Sequence, residues 1–280
     1  MNTAKGARRA VEVACVAWID LLGYGAQLKE CGFDPTSTAA QSAIERLQGF
    51  HLAVASQTTR GFFAFVMNDG AVMYRDLSPR TNSVTSEFVI RAVGLHEHVN
   101  RVDHASGFPG ARMVVAAGFR VRSRAKPVPS GVGAAIVRRL DDGKISVKSA
   151  IREALWARPV FGEVPELQGN FAFTKAFVAD HDGSRVGLVG PCCYVDMALF
   201  SSPHPEWLQV SKLIPWRNER LGLEAQFGLV EGIDRAKARA TGERGVLDAF
   251  ALARRLSGSV EVVREIRKRR LTDSLRPKPA

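Results

Sequence analysis

The sequence predicts an α/β (α+β) fold in which a buried strand, a helix, a β-hairpin, a second helix and a further buried strand follow one another. Three observations carry this. Residues 11–20, VEVACVAWID, and 112–122, RMVVAAGFRVR, are apolar runs rich in β-branched residues, the pattern of buried strands. Between them FFAFVMND and AVMYRDL meet at Asn68-Asp69-Gly70, a short-range hairpin signal. The intervals 36–58 and 84–101 carry helical patterning.

Taken in order, the first strand delivers Asp20 to the turn LLGYG, where a helix can start. Ala39, Ile44, Leu47, Phe50, Leu52 and Val54 give the next helix its spacing, and Arg60-Gly61 closes it. The hairpin sets Asp69 at its tip. Residues 122–143 mix Lys, Arg, Pro, Ser and Gly, and read either as a basic loop over a site or as a surface insertion. Helices are expected at 149–156 and 169–180, and a last strand at 187–199 around Cys192 and Tyr194. Val246, Phe250, Leu252, Leu256, Val260, Val263 and Ile266 predict one long C-terminal helix over 246–270. The expected organisation is an N-terminal tail at 1–10, a single domain at 11–270 and a disordered tail at 271–280.

Hydrophobic residues make up 46% of the chain and charged residues 24%, which suits a folded domain and excludes extended disorder. The net charge of +11 favours anionic partners without choosing among nucleotides, nucleic acid and membrane surfaces. Much of the excess gathers at Arg254, Arg255, Arg264, Arg267, Lys268, Arg269 and Arg270, which read as a solvated basic helix. Four cysteines, two of them adjacent and none in a CxxC pair, read as packing residues in a reducing cytoplasm. The apolar run 11–22 is short and interrupted by Glu12 and Asp20, so neither a secretory leader nor a membrane insertion is expected.

The chemistry concentrates at two aspartates. Attack on a triphosphate assisted by metal ions needs two hard cations held by carboxylates, and Asp20 and Asp69 at neighbouring strand tips meet that need. The backbone donors of Leu22, Gly23 and Tyr24, at a helix start, suit phosphate oxygens. Each aspartate also has a structural alternative: Asp20 as a helix cap, Asp69 as a turn former.

The joint pattern goes further. VAWIDLLGYG followed by FVMNDGAVMY resembles the two metal motifs of class III nucleotidyl cyclases, and MVVAAGFRV resembles that family's next strand. The resemblance implies a ferredoxin-like βαββαβ core with helices on one face, a C-terminal helical extension, and a homodimer with active sites at the interface. It implies two Mg²⁺ or Mn²⁺ ions on Asp20, the Leu21 carbonyl and Asp69, and attack of a ribose 3′-hydroxyl on the α-phosphate. The products would be a 3′,5′-cyclic nucleotide and pyrophosphate.

Two departures bear on the substrate. The position where the family carries a purine-selecting Lys or Glu is Phe65, which cannot make that hydrogen bond. The positions of the family's transition-state Asn and Arg fall on Phe173 or Thr174 and on Phe177 or Val178. Lys175, Arg75 and Arg120 are the candidate replacement cations. A free-standing chain of this kind is similar to the pyrimidine cyclases of the bacterial Pycsar antiphage system. That implies cyclic UMP or cyclic CMP as product and a separate effector protein that reads it. The alternatives are an adenylate or guanylate cyclase, and a catalytically silent module that binds nucleotide or nucleic acid. His96, His98 and His104 read as a surface loop, the run 122–126 as solvated charge, and Trp156, Trp207 and Trp216 as packing.

Overall fold

The computed structural model describes residues 10–122, 131–156, 164 and 166–272. The order is β1 (Ala10–Leu21), α1 (Tyr24–Glu30), α2 (Thr38–Gln57), β2 (Ala64–Met67), β3 (Gly70–Asp76), α3 (Ser83–Ala105) and β4 (Ala111–Arg122). It continues with α4 (Gly131–Asp141), α5 (Val147–Trp156), α6 (Phe171–Asp182), β5 (Cys193–Asp196), β6 (Leu208–Asn218) and β7 (Leu223–Ile233). Three helices end it: α7 (Arg235–Thr241), α8 (Ala249–Leu256) and α9 (Val260–Thr272).

The strands form one seven-stranded sheet in the order β2-β3-β1-β4-β5-β7-β6. Read from the other side, its first four strands run β4-β1-β3-β2, the order of a ferredoxin-like βαββαβ unit. β1 pairs antiparallel with β3, and β3 with β2. β5 joins β4 in parallel, and the β6–β7 hairpin extends the sheet beyond it.

Alternate residues of β1 face opposite ways. Val13, Cys15, Ala17, Ile19 and Leu21 pack into a core with Phe50 and Val54 of α2 and Phe88, Val89 and Val93 of α3. Leu252 of α8 and Ile266 of α9 join the same cluster, so the C-terminal extension lies on this helix face. The second face of β1 is covered by α6, a helix outside the βαββαβ unit. A methyl group on Gly118 of β4 would stand 2.6 Å from the Ala172 backbone nitrogen, so the glycine lets α6 lie directly on the strand.

The helices α4 and α5 belong to a compact unit of their own. Within it α4 and α5 are joined by Arg139, whose two terminal nitrogens donate to the Glu153 carboxylate at 2.8 and 3.2 Å. Part of the expected 122–143 loop is therefore the helix α4. The rest of that loop, with most of the 122–126 run, the Trp156 side chain, and the tails expected at 1–10 and 271–280 apart from a few end residues, lies outside the described residues.

Three expectations are corrected. The C-terminal helix is two helices, because Ser257-Gly258-Ser259 interrupts the pattern after α8, whose start Asp248 caps at 2.7 Å from Ala251 N. The 187–199 strand is only β5, because Gly187 and Gly190 take positive φ before it and Asp196 caps a 3₁₀ turn after it. The β6–β7 hairpin has no counterpart in the sequence-based expectation. Among the described residues no helix is long and apolar enough to cross a membrane.

Candidate active site

Strand pairing joins the two aspartates. Asp20 lies opposite Gly70 in the β1–β3 register, and Leu21 N–H donates to the Asp69 carbonyl at 2.9 Å. The hairpin turn is the pair Asn68-Asp69, and the residue with positive φ is Asn68, at 56°. Asn68 donates its side-chain amide to Asp69 Oδ1 at 3.0 Å, and its carbonyl accepts from His51 Nε2 of α2 at 2.8 Å. The tip is thus braced from the helix layer.

Gly70 has a reason of its own. A methyl group there would meet Trp18 Cζ2 and Cη2 at 2.5 Å and Asp20 Oδ1 at 3.3 Å. The glycine makes room for an indole ring laid over the strand end beside the Asp20 carboxylate. Trp18 is two residues before Asp20 and therefore shares its face. Its Nε1 donates to Asp180 Oδ2 of α6 at 3.1 Å, and Phe173 and Phe177 of α6 meet the ring edge-on at 6.1 and 5.2 Å. Asp180 is held in turn by Arg112, whose Nε donates to Oδ1 at 2.6 Å.

The structural alternatives for the aspartates are not realised. Gly23 occupies the cap position of α1, which receives no side-chain hydrogen bond, so Asp20 caps nothing there. The left-handed turn position belongs to Asn68 rather than Asp69. Among the described residues no group donates a hydrogen bond to the Asp20 carboxylate and no cation pairs with it. Burial raises its pKa from 3.8 to about 7, helped by the nearby charges of Asp180 and Asp69 and opposed by Arg112. Burial also raises Asp180, against the pull of Arg112.

This donor set fits a hard divalent cation. A partly buried carboxylate without a cationic partner among the described residues and a second carboxylate on the adjoining turn are the oxygen donors such an ion takes. No group of three or more His, Cys, Asp or Glu side chains suited to a metal occurs among the described residues. Magnesium-type sites use one or two carboxylates and complete their shell with water and phosphate, so two aspartates meet that pattern.

The other expected residues divide. Phe65 pairs with Val72, which pairs with Trp18, so Phe65 shares the Asp20 face two strands away. Gly23 is exposed with φ 76°. Leu22 departs from expectation as a phosphate-binding donor. Leu22 N–H already donates to the Gly110 carbonyl at 2.9 Å, and the Tyr24 ring is buried in the core of the helix face.

The three replacement cations stand elsewhere. Lys175 Nζ is buried against Asp196 at 2.6 Å. Arg75 donates to the Gly61 carbonyl at 2.7 Å. Arg120 clasps Asp76, which lies opposite Ala14, about 20 Å along β1 from Asp20 at roughly 3.3 Å per residue. His96 and His104 bond to the Ala111 and Pro109 carbonyls, and Trp207 and Trp216 are buried. All four cysteines are free, with Cys15 and Cys193 in the core. Sequence reasoning missed Trp18, Asp180 and Arg112. The period of two along β1 could have placed Trp18 beside Asp20, whereas nothing in the sequence announces the long-range contact with α6.

No family model and no curated protein matches the chain. Among solved structures it is similar to the guanylyl cyclase Cya2, with TM-score 0.49 and 13% identity over 80% of this chain and 94% of that one. The adenylyl cyclase CyaB from P. aeruginosa gives 0.41 and 9%, over 82% of this chain and 98% of that one. The guanylate cyclase domain of RhGC from Catenaria anguillulae, in complex with GTP, gives 0.39 and 11%, over 81% of this chain and all (100%) of that one.

Proposed function

We propose that the chain is a metal-dependent nucleotidyl cyclase that converts a pyrimidine nucleoside triphosphate, UTP or CTP, to its 3′,5′-cyclic nucleotide and pyrophosphate. The observation that carries the reading is Asp20: a partly buried carboxylate at a strand end, lifted to about 7, without a cationic partner among the described residues, and paired opposite Gly70, the residue that follows Asp69. Bound Mg²⁺ or Mn²⁺ would polarise the α-phosphate and favour ionisation of the attacking 3′-hydroxyl.

The chain's own residues supply position. Asp20, the Leu21 carbonyl and Asp69 would hold the cations. Trp18 fills the space over Gly70 beside Asp20. Gly23 leaves an exposed turn for the triphosphate. Phe65 offers an apolar ring on the same face and no hydrogen bond for a purine edge. Phe173 and Phe177 add aromatic surface beside Trp18, in the segment where the resembled family's Asn and Arg would fall on Phe173 or Thr174 and on Phe177 or Val178. The reading includes a homodimer with sites at its interface, a cytoplasmic location and a second-messenger role in antiphage defence through a separate effector.

The test is an assay of purified protein with each of the four nucleoside triphosphates and Mn²⁺. Cyclic UMP or cyclic CMP, abolished by Asp20→Ala and by Asp69→Ala in folded protein, is the expected result. Product from ATP or GTP alone would defeat the pyrimidine assignment. No product from any of the four, with anion binding intact, would leave a nucleotide-binding module.

A further inference from the structure

Arg46 was not singled out by its place in the sequence, yet it connects four segments around the end of β1. It sits on α2, 5% exposed. Its Nε and Nη2 donate to the two carboxylate oxygens of Asp103 on α3 at 2.9 and 2.8 Å. Nη1 donates to Gln27 Oε1 of α1 at 2.8 Å, and Nη2 also reaches the Leu22 carbonyl at 3.0 Å. The Phe108 ring lies 4.7 Å from the guanidinium carbon.

The contacts close into a circuit. Asp103 Oδ2 accepts the Gly110 N–H at 2.8 Å, and the Gly110 carbonyl accepts the Leu22 N–H at 2.9 Å. Leu22 is therefore held through both backbone groups, its N–H by Gly110 and its carbonyl by Arg46. It stands two residues past Asp20 and one past Leu21. With Leu21 N–H on the Asp69 carbonyl, the chain that carries the expected cation ligands is fixed on either side of its final peptide groups.

A buried ion pair contributes little net stability, because desolvation offsets the attraction. A brace between α2 and α3 would need only a cation opposite Asp103. The additional reach to Leu22 and Gln27 uses the planar fork of the guanidinium, which a lysine lacks. We propose that Arg46 is a positioning residue for the divalent-cation site, acting through the Leu22 carbonyl to fix Asp20 and the Leu21 carbonyl at the end of β1. This rests on the metal site proposed above.

The test uses the full chain and Mn²⁺ alone, with binding followed by electron paramagnetic resonance and folding by thermal unfolding of the same samples. Arg46→Lys keeps a charge opposite Asp103 and releases Leu22. It is expected to weaken Mn²⁺ binding about tenfold, the equivalent of one charge-assisted hydrogen bond, in protein that still unfolds cooperatively. Gln27→Ala removes a more exposed partner of the same fork and is expected to weaken Mn²⁺ in the same direction by a smaller factor. A role confined to bracing the helices would lower the unfolding temperature and leave Mn²⁺ affinity alone. Wild-type affinity in folded Arg46→Lys, or in Gln27→Ala if the lysine variant does not fold, overturns the positioning role. Absence of Mn²⁺ binding in the parent chain, or binding indifferent to Asp20→Ala, overturns the metal site itself.

Discussion

Replacing Asp20 by Asn keeps the side-chain volume and removes the charge, so it separates electrostatics from packing. In the metal-free chain the Asp20 carboxyl is raised from 3.8 to about 7 by burial and by Asp180 and Asp69. At about 1.4 kcal/mol per tenfold change, the folded state disfavours the ionised form by about 4 kcal/mol. The folded state binds the proton more tightly than the unfolded one. Stability from this group is therefore fully present below pH 3.8 and is lost as pH rises through about 7. Asp20→Asn has no such loss. Its stability relative to the parent should grow between pH 5 and pH 8 and level off above, as read from urea unfolding in chelator. Adding Mn²⁺ at pH 8 should close the gap, because a cation at about one hundred times its dissociation constant stabilises the folded parent by about 2.7 kcal/mol. The variant should gain much less. A gap that does not change with pH, or a Mn²⁺ effect equal in both proteins, would refute the assignment of Asp20 as an ionised cation ligand.

Gly70→Ala should displace the Trp18 ring, since the added methyl would stand 2.5 Å from it, and lower stability by about 1–3 kcal/mol with a shift in tryptophan fluorescence. Adding Trp18→Phe should recover part of that loss. His96 is held neutral, its pKa lowered from 6.5 to about 4 chiefly by burial. The unfolded chain then binds more protons in this window, so stability present above pH 6.5 should fall by about 3 kcal/mol toward pH 4, and His96→Gln should flatten that part of the profile. Lys175→Met leaves Asp196 buried without its cation and should cost about 3–5 kcal/mol by chemical unfolding, with Mn²⁺ affinity unchanged.

What the sequence made legible follows from local rules. Apolar runs placed β1 and β4, and the Asn-Asp-Gly turn placed the β2–β3 hairpin. Together these set Asp20 and Asp69 at neighbouring strand ends. Local rules also explain the misses. Pro215 interrupts the apolar pattern of β6, and it is tolerated there because β6 is the edge of the sheet. The helical spacing of 246–270 runs through Gly258 without a change of phase, so periodicity alone could not reveal the break between α8 and α9. Gly70 looked like a turn residue, whereas its φ is ordinary and the Trp18 ring requires the missing side chain.

The face of the sheet beneath α6 supplies the strongest argument for a cation from solution. Asp76 meets Arg120, Asp180 meets Arg112, and Asp196 meets Lys175, each pair within hydrogen-bonding distance. Leaving a carboxylate in such surroundings without a partner is costly, and the chain avoids it at those three positions. Asp20 shares that face and is raised rather than lowered in pKa, chiefly by burial and further by the charges of Asp180 and Asp69, while Arg112, which opposes the shift, is bonded to Asp180. A basic side chain opposite Asp20 would have solved the problem as it is solved elsewhere on the face. Its absence among the described residues, at a strand end paired with the residue that follows Asp69, is what the proposed cation site requires.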